Sequence, residues 1–228
     1  MNVAIIAAAG GGSRLAGDRP KQFLQLAGTP IIFHTLRPFE QCDSIQEIIV
    51  VLPAEESAGF LSLAGRYGLR KLGRVVPGGA TRAESVLRGL LSLRAATTEI
   101  VAVHDGVRPF VTPEEISLTV AAAQSKGSAI LVAPAIDTIK QVSNGAVVKT
   151  LERRELCHAL TPQCFRYEIL KRAYDRADVH DPRVTDDSSL VEQLGEAVAI
   201  VEGSSRNIKI TTRRDLLIAE TFLKRAGD

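Results

Sequence analysis

Four short apolar segments, separated by stretches of helical character, most constrain the fold of this chain. The segments are rich in Val, Ile and Ala without clean alternation, which is typical of strands covered on both faces. They are Val3–Ala8, Ile48–Leu52, Ile100–Val103 and Ser128–Ala133. The helices predicted between them are Pro30–Glu40, Glu55–Tyr67, Arg82–Arg94 and Pro113–Ser125. This order predicts an α/β protein with a mostly parallel, doubly wound sheet, which binds ligands at the carboxyl ends of its strands.

The pattern changes after Ala133, where a β-hairpin is predicted. Ile136–Val142 and Ala146–Leu151 have strand-like sequences, and Ser143-Asn144-Gly145 between them is a hairpin turn signal. A hairpin inserted in a parallel chain is not expected to extend the central sheet, so we predict a protruding arm at about residues 136–155. Because an isolated hairpin is only marginally stable in water, the arm is expected to pack against a second subunit. The alternative is a hairpin that folds back on its own domain.

The remaining elements and the composition indicate one globular domain, residues 1–228. Further helices are predicted at Tyr167–Asp178, Asp186–Leu194 and Thr211–Arg225, and a strand at Ala197–Val201. Apolar residues make up 45% and charged residues 24%, and the net charge of +2 favours neither a nucleic-acid nor a membrane partner. Three cysteines without a C-x-x-C pair are expected to be free thiols. With no secretion signal and no membrane-spanning apolar run, we expect a cytoplasmic protein.

The first strand runs directly into a glycine-rich segment, Gly10-Gly11-Gly12-Ser13-Arg14. Because glycine has no Cβ, backbone N–H groups of such a turn can approach a phosphate closely. Arg14 and Lys21 add two cations where a polyphosphate would lie, which predicts an enzyme that acts on a nucleoside triphosphate. The segment lacks the Gly-Lys-Ser/Thr end of a Walker A loop, and Leu15 replaces the third glycine of a dinucleotide fingerprint. The alternative is a flexible glycine turn followed by a solvated basic loop.

A second polar cluster, His104-Asp105-Gly106-Val107-Arg108, follows the strand that ends at Val103. A carboxylate at the carboxyl end of a strand is well placed to hold Mg²⁺ on phosphates, because hard oxygen ligands suit that ion. Arg108 favours a phosphate site. The alternative for Asp105 is a side chain that stabilises a turn, and we interpret His104 as structural.

Three further groups of residues are each open to two interpretations. The paired glycines Gly78 and Gly79, with Ser85 in the helix that follows, either bind a base or ribose or form a tight turn with an N-cap threonine. Lys209, flanked by isoleucines, is either a solvated edge charge or a cation of the site. The polar residues around the arm either bind a phosphorylated polyol or are ordinary surface residues; they include Thr138, Arg153 and Thr185.

Taken together, these motifs resemble the 2-C-methyl-D-erythritol 4-phosphate cytidylyltransferases of the non-mevalonate isoprenoid pathway. The match occurs in family order over nearly the whole chain: Ala8-Ala9-Gly10-x-Gly12-x-Arg14, Pro20-Lys21-Gln22, Gly78-Gly79-x-x-Arg82-x-x-Ser85-Val86, His104-Asp105-x-x-Arg108-Pro109, Asp137-Thr138, Thr161-Pro162-Gln163, Thr185-Asp186 and Asn207-Ile208-Lys209. The resemblance implies a Rossmann-like nucleotidyltransferase that forms a homodimer through its β-arms. It also implies the reaction of CTP with methylerythritol phosphate, with Mg²⁺ as the metal and pyrophosphate as the second product.

The resemblance further implies a role for each matching residue. Arg14 and Lys21 stabilise the charge on the α-phosphate, while Lys209 and Arg153 position the attacking substrate phosphate. That phosphate is already ionised at neutral pH, so no general base is required. The implied substrate-binding residues are Ala8, Ala9, Gly10, Gly12, Gly78, Gly79, Ser85, Asp105, Gly106, Arg108, Thr138 and Thr185, with Asp105 also a metal ligand. In the family the arm reaches the partner's site, so Thr138 and Arg153 are expected to act in trans.

Two other functions compete with this one. Ribitol 5-phosphate cytidylyltransferases share the loop, the His-Asp-x-x-Arg-Pro cluster and the Asn-Ile-Lys motif, but the Ala8-Ala9 opening and residues 153–163 favour methylerythritol phosphate. A regulator that binds a nucleotide without catalysis needs no transition-state cations, so the presence of both Arg14 and Lys21 argues against it. A chain that ends at Asp228 is expected to lack the cyclodiphosphate synthase fused to some relatives.

Overall fold

The computed structural model describes residues 1–10 and 20–224, and its centre is a seven-stranded sheet. In chain order the elements are β1 (Asn2–Ala7), β2 (Gln25–Leu26), β3 (Thr29–Pro30), α1 (Ile31–Gln41), β4 (Glu47–Leu52), α2 (Ala54–Ser57), α3 (Phe60–Arg66), β5 (Leu72–Pro77), α4 (Arg82–Leu91), β6 (Ile100–Asp105), α5 (Pro113–Lys126), β7 (Ser128–Pro134), β8 (Lys140–Ser143), β9 (Ala146–Thr150), β10 (Cys157–Arg166), α6 (Tyr167–Arg176), α7 (Asp187–Glu192), β11 (Ala199–Glu202) and α8 (Arg213–Lys224). Short 3₁₀ turns cover Lys21–Phe23 and Arg153–Glu155.

The order of the strands places β1 in the interior of the sheet. From edge to edge the order is β11-β7-β10-β6-β1-β4-β5, and β10 is antiparallel to both neighbours while the other pairs are parallel. The chain leaves β1 toward β4 on one side and returns to β6 on the other. The carboxyl ends of β1 and β6 therefore border a topological switch point, where open α/β sheets bind their ligands. The predicted mostly parallel α/β fold is confirmed.

Both faces of the sheet are covered, which accounts for strands without polar alternation. Along β1, Ala4 and Ile6 belong to one buried cluster while Val3 and Ile5 belong to the cluster on the opposite face. All four side chains are fully buried. Successive side chains of a strand point to opposite faces, so an apolar layer is needed on each side.

Two strands of the sheet were absent from the sequence prediction. The edge strand β5 carries Gly73 and Arg74 and is only partly buried, so its apolar pattern is weak. The strand β10 is interrupted by the buried polar residues Thr161 and Gln163 and has a register shift between Ala159 and Gln163. The sequence analysis placed that stretch among the polar residues around the arm and predicted no strand there, because polar residues inside a strand resemble a loop.

The predicted helix over Glu55–Tyr67 is wrong as a continuous element. It consists of α2 and α3, separated at Gly59, whose φ of 78° lies in the left-handed region that a helix cannot continue through. The other predicted helices are present with ends shifted by a few residues. Among the described residues, no helix combines the length and the hydropathy needed to cross a membrane.

The predicted hairpin is present as a separate two-stranded sheet formed by β8 and β9. Its first strand begins at Lys140, later than the predicted Ile136. Asn144 and Gly145 both have positive φ, as a tight hairpin turn requires. Every residue of both strands is exposed. An exposed hairpin apart from the main sheet agrees with a protruding arm, and its contact with a second subunit stays a prediction.

Candidate active site

A cavity opens at the carboxyl ends of β1 and β6, at the switch point of the sheet. Five separate segments of the chain contribute to it: the end of β1, the 3₁₀ turn at Lys21–Phe23, the start of α4 with the loop before it, the end of β6 and the segment near Lys209. The described residues that line it are Ala7, Ala8, Ala9, Gly10, Lys21, Gln22, Gly79, Ala80, Thr81, Arg82, Ser85, Asp105, Val107 and Lys209. Eight of the predicted site residues are therefore brought together: Ala8, Ala9, Gly10, Lys21, Gly79, Ser85, Asp105 and Lys209.

The other predicted site residues have different positions. Gly78, Gly106 and Arg108 lie immediately behind the lining residues, whereas Thr138 and Thr185 are exposed outside it. Arg153, also exposed, lies beside the hairpin and donates a hydrogen bond to the Ile136 carbonyl at 2.7 Å. Gly12 and Arg14 lie outside the described residues. Within one chain the arm residues thus do not line this cavity, which is the arrangement expected if they act on a partner's site.

Asp105 is held by three cations at the end of β6. Its Oδ1 accepts from Arg82 Nε at 3.0 Å, and its Oδ2 lies 3.2 Å from Arg108 Nε and 3.0 Å from Lys209 Nζ. The register of β1 and β6 places Ala7 directly opposite Asp105, so this carboxylate lies beside the start of the glycine-rich segment. The side chain is 7% exposed. Asp105 and the cations that contact it thus form a charged cluster at the cavity.

These cations keep Asp105 ionised. Burial alone would raise the pKa of the carboxyl group, but the opposing charges of Arg82, Lys209 and Arg108 outweigh it and hold the pKa well below its ordinary value. The group therefore stays a carboxylate throughout the physiological pH range.

Arg82, the first residue of α4, is a functional candidate that the sequence analysis did not select. Its Nε contacts Asp105, while its Nη1 lies 2.8 Å from Oδ2 of the buried Asp187. Burial opposes the charged form, but Asp187 and Asp105 together raise the pKa of the guanidinium above its ordinary value. The sequence did contain an indication that Arg82 belongs to the site, because it lies within the Gly78-Gly79-x-x-Arg82 motif. Its partner Asp187 is far away in sequence, so no local pattern indicated the contact.

Gln22 is a second residue that the sequence analysis missed. Its Nε2 donates to the Ala8 carbonyl at 2.6 Å, and the side chain is almost fully buried. This contact fixes the 3₁₀ turn that carries Lys21 against the end of β1. In the sequence, the only indication of this role was that Gln22 directly follows the predicted site residue Lys21.

His104 is structural, in agreement with the interpretation from sequence. The ring is fully buried, with Nδ1 2.9 Å from Thr161 Oγ1 and Nε2 3.1 Å from the Arg108 carbonyl. Burial lowers its pKa to about 4, so the imidazole is neutral at physiological pH. Thr161 Oγ1 also accepts from the Asp105 backbone N–H at 3.2 Å. His104 and Thr161 together hold the backbone at the end of β6.

Close packing explains two of the predicted glycines. A Cβ on Gly78 would lie 2.1 Å from Ala9 Cβ, and a Cβ on Gly106 would lie 2.5 Å from Ala8 Cβ. Ser85 Oγ accepts from the Gly79 N–H at 3.1 Å and donates to the Thr81 carbonyl at 2.8 Å. The loop before α4 is therefore held against the end of β1. Its interpretation as a tight turn with an N-cap threonine is confirmed, and its binding of a base or ribose stays a prediction.

Lys209 lines the cavity and its ammonium contacts Asp105, a position that agrees with the second interpretation from sequence, a cation of the site. Two neighbouring residues fix the segment that carries Lys209. Ile210 is fully buried, and Asn207 Nδ2 donates to the Thr161 carbonyl at 2.8 Å. Arg108 Nη1 donates to the Asn207 carbonyl at 2.8 Å. The lysine side chain remains 39% exposed while its ammonium contacts Asp105.

The described residues do not form a metal site by themselves. Among residues 1–10 and 20–224, no three His, Cys, Asp or Glu side chains are grouped so that they could hold a metal ion. Asp105 is the acidic residue in the described lining of the cavity. A divalent ion in this cleft would therefore need most of its ligands from a bound substrate.

Comparisons with known proteins give one consistent result. A family model described as 2-C-methyl-D-erythritol 4-phosphate cytidylyltransferase matches residues 2–225. A protein of that name from Pelotomaculum thermopropionicum is 45% identical over 223 residues, which are 97% of this chain and 93% of the relative. One from Bacillus cytotoxicus is 44% identical over 223 residues and 98% of each chain.

Solved structures agree with the sequence comparisons. The crystal structure of a 4-diphosphocytidyl-2C-methyl-D-erythritol synthase from Anaerococcus prevotii superposes with a TM-score of 0.86 at 31% identity, covering 98% of this chain and 96% of that one. The structure of a 2-C-methyl-D-erythritol 4-phosphate cytidylyltransferase from Thermus thermophilus gives 0.78 at 33% identity, covering 97% and 98%.

Proposed function

The chain belongs to the 2-C-methyl-D-erythritol 4-phosphate cytidylyltransferase family, and from this premise we propose how the residues of its cleft perform the reaction. The enzyme converts CTP and 2-C-methyl-D-erythritol 4-phosphate to 4-diphosphocytidyl-2-C-methyl-D-erythritol and pyrophosphate. The observation that most supports a catalytic role for this cleft is the convergence of Lys21, Lys209 and Asp105 at the switch point of the sheet.

The cytidine is bound by the small residues at the end of β1 and the loop before α4. Ala8, Ala9 and Gly10 line the cavity next to Gly79 and Ser85. Because Ser85 already holds the Gly79 N–H, the backbone of this loop is fixed before the nucleotide arrives. A preformed backbone wall recognises a flat base without the entropic cost of ordering a loop. Gly12 is assigned to the same nucleotide site from the sequence motif.

The catalytic step is an in-line attack of the methylerythritol phosphate on the α-phosphate of CTP. Negative charge develops on the non-bridging oxygens, and fixed cations lower the barrier most where that charge appears. Lys21 and Arg14 take this role, Lys21 from the 3₁₀ turn anchored by Gln22. The attacking phosphate is already ionised, so no side chain needs to remove a proton, in keeping with the buried, neutral His104.

The second substrate is positioned by residues that border the Asp105 cluster. Lys209, which is partly exposed, is the cation best able to leave Asp105 and contact the incoming phosphate. Arg108, Gly106 and Thr185, which lie outside the described lining of the cavity, are assigned to the polyol phosphate from the sequence motifs alone. The Asp105 carboxylate thus neutralises the Lys209 ammonium until the substrate phosphate takes the place of the carboxylate.

The residues present fit a magnesium ion that arrives with the triphosphate. Asp105 offers a hard carboxylate group in a cavity whose other charged lining residues are the cations Lys21, Arg82 and Lys209, which suits an ion already carrying phosphate ligands. Mg²⁺ would supply neutralisation of the triphosphate charge. The role of Asp105 is to orient toward that ion, and the role of Arg82 and Arg108 is to hold the carboxylate in place.

The arm completes the site of a second subunit. Ile136, Val142, Val147 and Val148 are 61–71% exposed, an apolar surface that a homodimer would cover. Arg153 and Thr138 lie at the base of this arm and do not line the cavity of their own chain. We therefore assign both residues to the partner's site.

Mixing two inactive variants tests this arrangement. A heterodimer of Lys21→Ala and Arg153→Ala chains, isolated with two different affinity tags, has one site with both defects and one intact site. We expect it to regain roughly half of the wild-type activity, because only one of its two sites is intact. Each variant homodimer, carrying the same tags, is the control. An isolated heterodimer without activity would place Arg153 in its own chain's site, and a monomeric protein would overturn the proposed homodimer.

A pyrophosphate-release assay with a panel of substrates tests the reaction itself. We expect release with CTP and methylerythritol phosphate, and a much smaller kcat/KM with UTP, ATP or GTP. A higher kcat/KM with ribitol 5-phosphate than with methylerythritol phosphate would contradict the assigned substrate. Nucleotide binding without pyrophosphate release on either polyol phosphate would indicate a non-catalytic regulator.

A further inference from the structure

Arg82 joins two buried carboxylates that come from distant parts of the chain. Its guanidinium contacts Asp105 at 3.0 Å on the cavity side and Asp187 at 2.8 Å on the opposite side. Asp187 is the first residue of α7 and has no exposed surface. A buried carboxylate is costly to desolvate, and a buried ion pair often stabilises a fold no more than apolar residues of the same volume. A gain in stability therefore does not by itself account for the pair.

Asp187 is fixed by elements that do not line the cavity. Tyr174 of α6 donates its hydroxyl to Asp187 Oδ1 at 2.6 Å. The Asp187 backbone N–H donates to Gln163 Oε1 at 3.0 Å, and Gln163 Nε2 donates to Asp186 at 2.7 Å. The helices α6 and α7 and the strand β10 thus hold Asp187 in one position, and Asp187 in turn holds Arg82.

The three cations around Asp105 differ in how firmly they are held. The Lys209 side chain is 39% exposed, whereas the Arg82 side chain is 27% exposed and is paired on both sides. When Lys209 moves to the substrate phosphate, Asp105 loses one of its counter-charges. Arg82 cannot move to the substrate in the same way, because its departure would leave the buried Asp187 carboxylate without a counter-charge.

We propose that Asp187 and Tyr174 are positioning residues for the transfer reaction, which act by holding Arg82 against Asp105 while Lys209 engages the substrate. The Asp105 carboxylate then keeps its orientation toward the metal–triphosphate during the step in which its other partners change. This inference rests on the proposed function, in which Asp105 faces the metal-bound nucleotide.

Three substitutions test the proposal in the full-length enzyme. Asp187→Asn removes the charge with little change of shape, Arg82→Met removes the bridging cation, and the double variant removes both. We expect Asp187→Asn to lower kcat by about 10- to 100-fold, the usual cost of losing a partner that orients a metal-facing group, and to raise the Mg²⁺ concentration for half-maximal activity. KM for methylerythritol phosphate should change little, because its contacts are retained.

The double variant separates positioning from a direct role of Asp187. If Asp187 acts only through Arg82, adding Asp187→Asn to Arg82→Met lowers kcat no further. The double variant should also unfold at a higher temperature than Arg82→Met alone, because it no longer buries an unpaired carboxylate. A multiplicative loss of kcat in the double variant would overturn the proposal.

Further measurements keep the proposal testable if Asp187→Asn folds poorly. Tyr174→Phe removes one hydrogen bond to Asp187 and keeps the ring, so we expect a smaller loss of kcat with the same rise in the Mg²⁺ requirement. Calorimetric titration with CTP and Mg²⁺ should show weaker metal-dependent binding in both variants. Asp175→Asn, on the exposed side of α6, is the matched control and should change neither quantity.

The outcomes also separate this inference from the proposed function. Normal kcat and normal Mg²⁺ dependence in folded Asp187→Asn and Tyr174→Phe enzymes, together with a severe defect in Asp105→Asn, would show that Asp187 and Tyr174 serve stability alone. A fully active Asp105→Asn enzyme would instead contradict the proposed function on which the inference rests.

Discussion

Replacing Lys21 or Arg14 by alanine should lower kcat by about 10²- to 10³-fold or more while the protein remains folded. Each cation is assigned to charge that appears on the α-phosphate in the transition state, and losing one such contact typically costs about 3–4 kcal/mol of barrier lowering. Substrate binding should change less, because the ground-state triphosphate keeps its other contacts. Steady-state kinetics of pyrophosphate release, with both substrates varied, measures the two effects separately.

A matched lysine variant controls for the loss of charge. Lys126 is exposed in the last turn of α5, just before the amino end of β7, and it does not line the cavity. Lys126→Ala removes one positive charge from the same protein and should retain wild-type kcat. Turnover near the wild-type value in Lys21→Ala would remove the assigned catalytic role, whatever its effect on nucleotide affinity.

The framework of the fold follows from local patterns in the sequence. When apolar strands covered on both faces alternate with helices, only a few topologies are possible for the chain. Right-handed crossovers make the strands parallel, so the carboxyl ends of the strands lie at the same edge of the sheet. The sequence therefore predicted that the β1 loop and Asp105 would lie at the carboxyl ends of strands, where the ligand binds. The antiparallel strand β10 was missed because Thr161 and Gln163 are polar, although they are buried and hydrogen-bonded to His104 and to the backbone of α7.

The candidate site was predicted less completely than the fold, for a physical reason. Glycines and alanines at strand ends can be identified locally, because only small residues permit the close contacts of Gly78 with Ala9 and of Gly106 with Ala8. Long-range ion pairs have no local signature. The contact of Arg82 with Asp187 joins the first residues of α4 and α7, which are more than a hundred residues apart in the sequence.

Asp105→Asn should lose most turnover, with kcat lowered by about 10- to 100-fold, yet retain detectable CTP binding. Asparagine keeps the shape but removes the charge that Lys209 contacts, so Lys209 becomes free to bind the triphosphate in orientations that do not lead to reaction. The neutral amide is also a weaker Mg²⁺ ligand than a carboxylate, so more Mg²⁺ should be needed for half-maximal activity. Kinetics over a range of Mg²⁺ concentrations and calorimetric CTP titration provide the measurements. Asp43→Asn, at an exposed position outside the cavity lining, is the control. An Asp105→Asn enzyme with full activity and unchanged Mg²⁺ dependence would show that Asp105 only stabilises the end of β6.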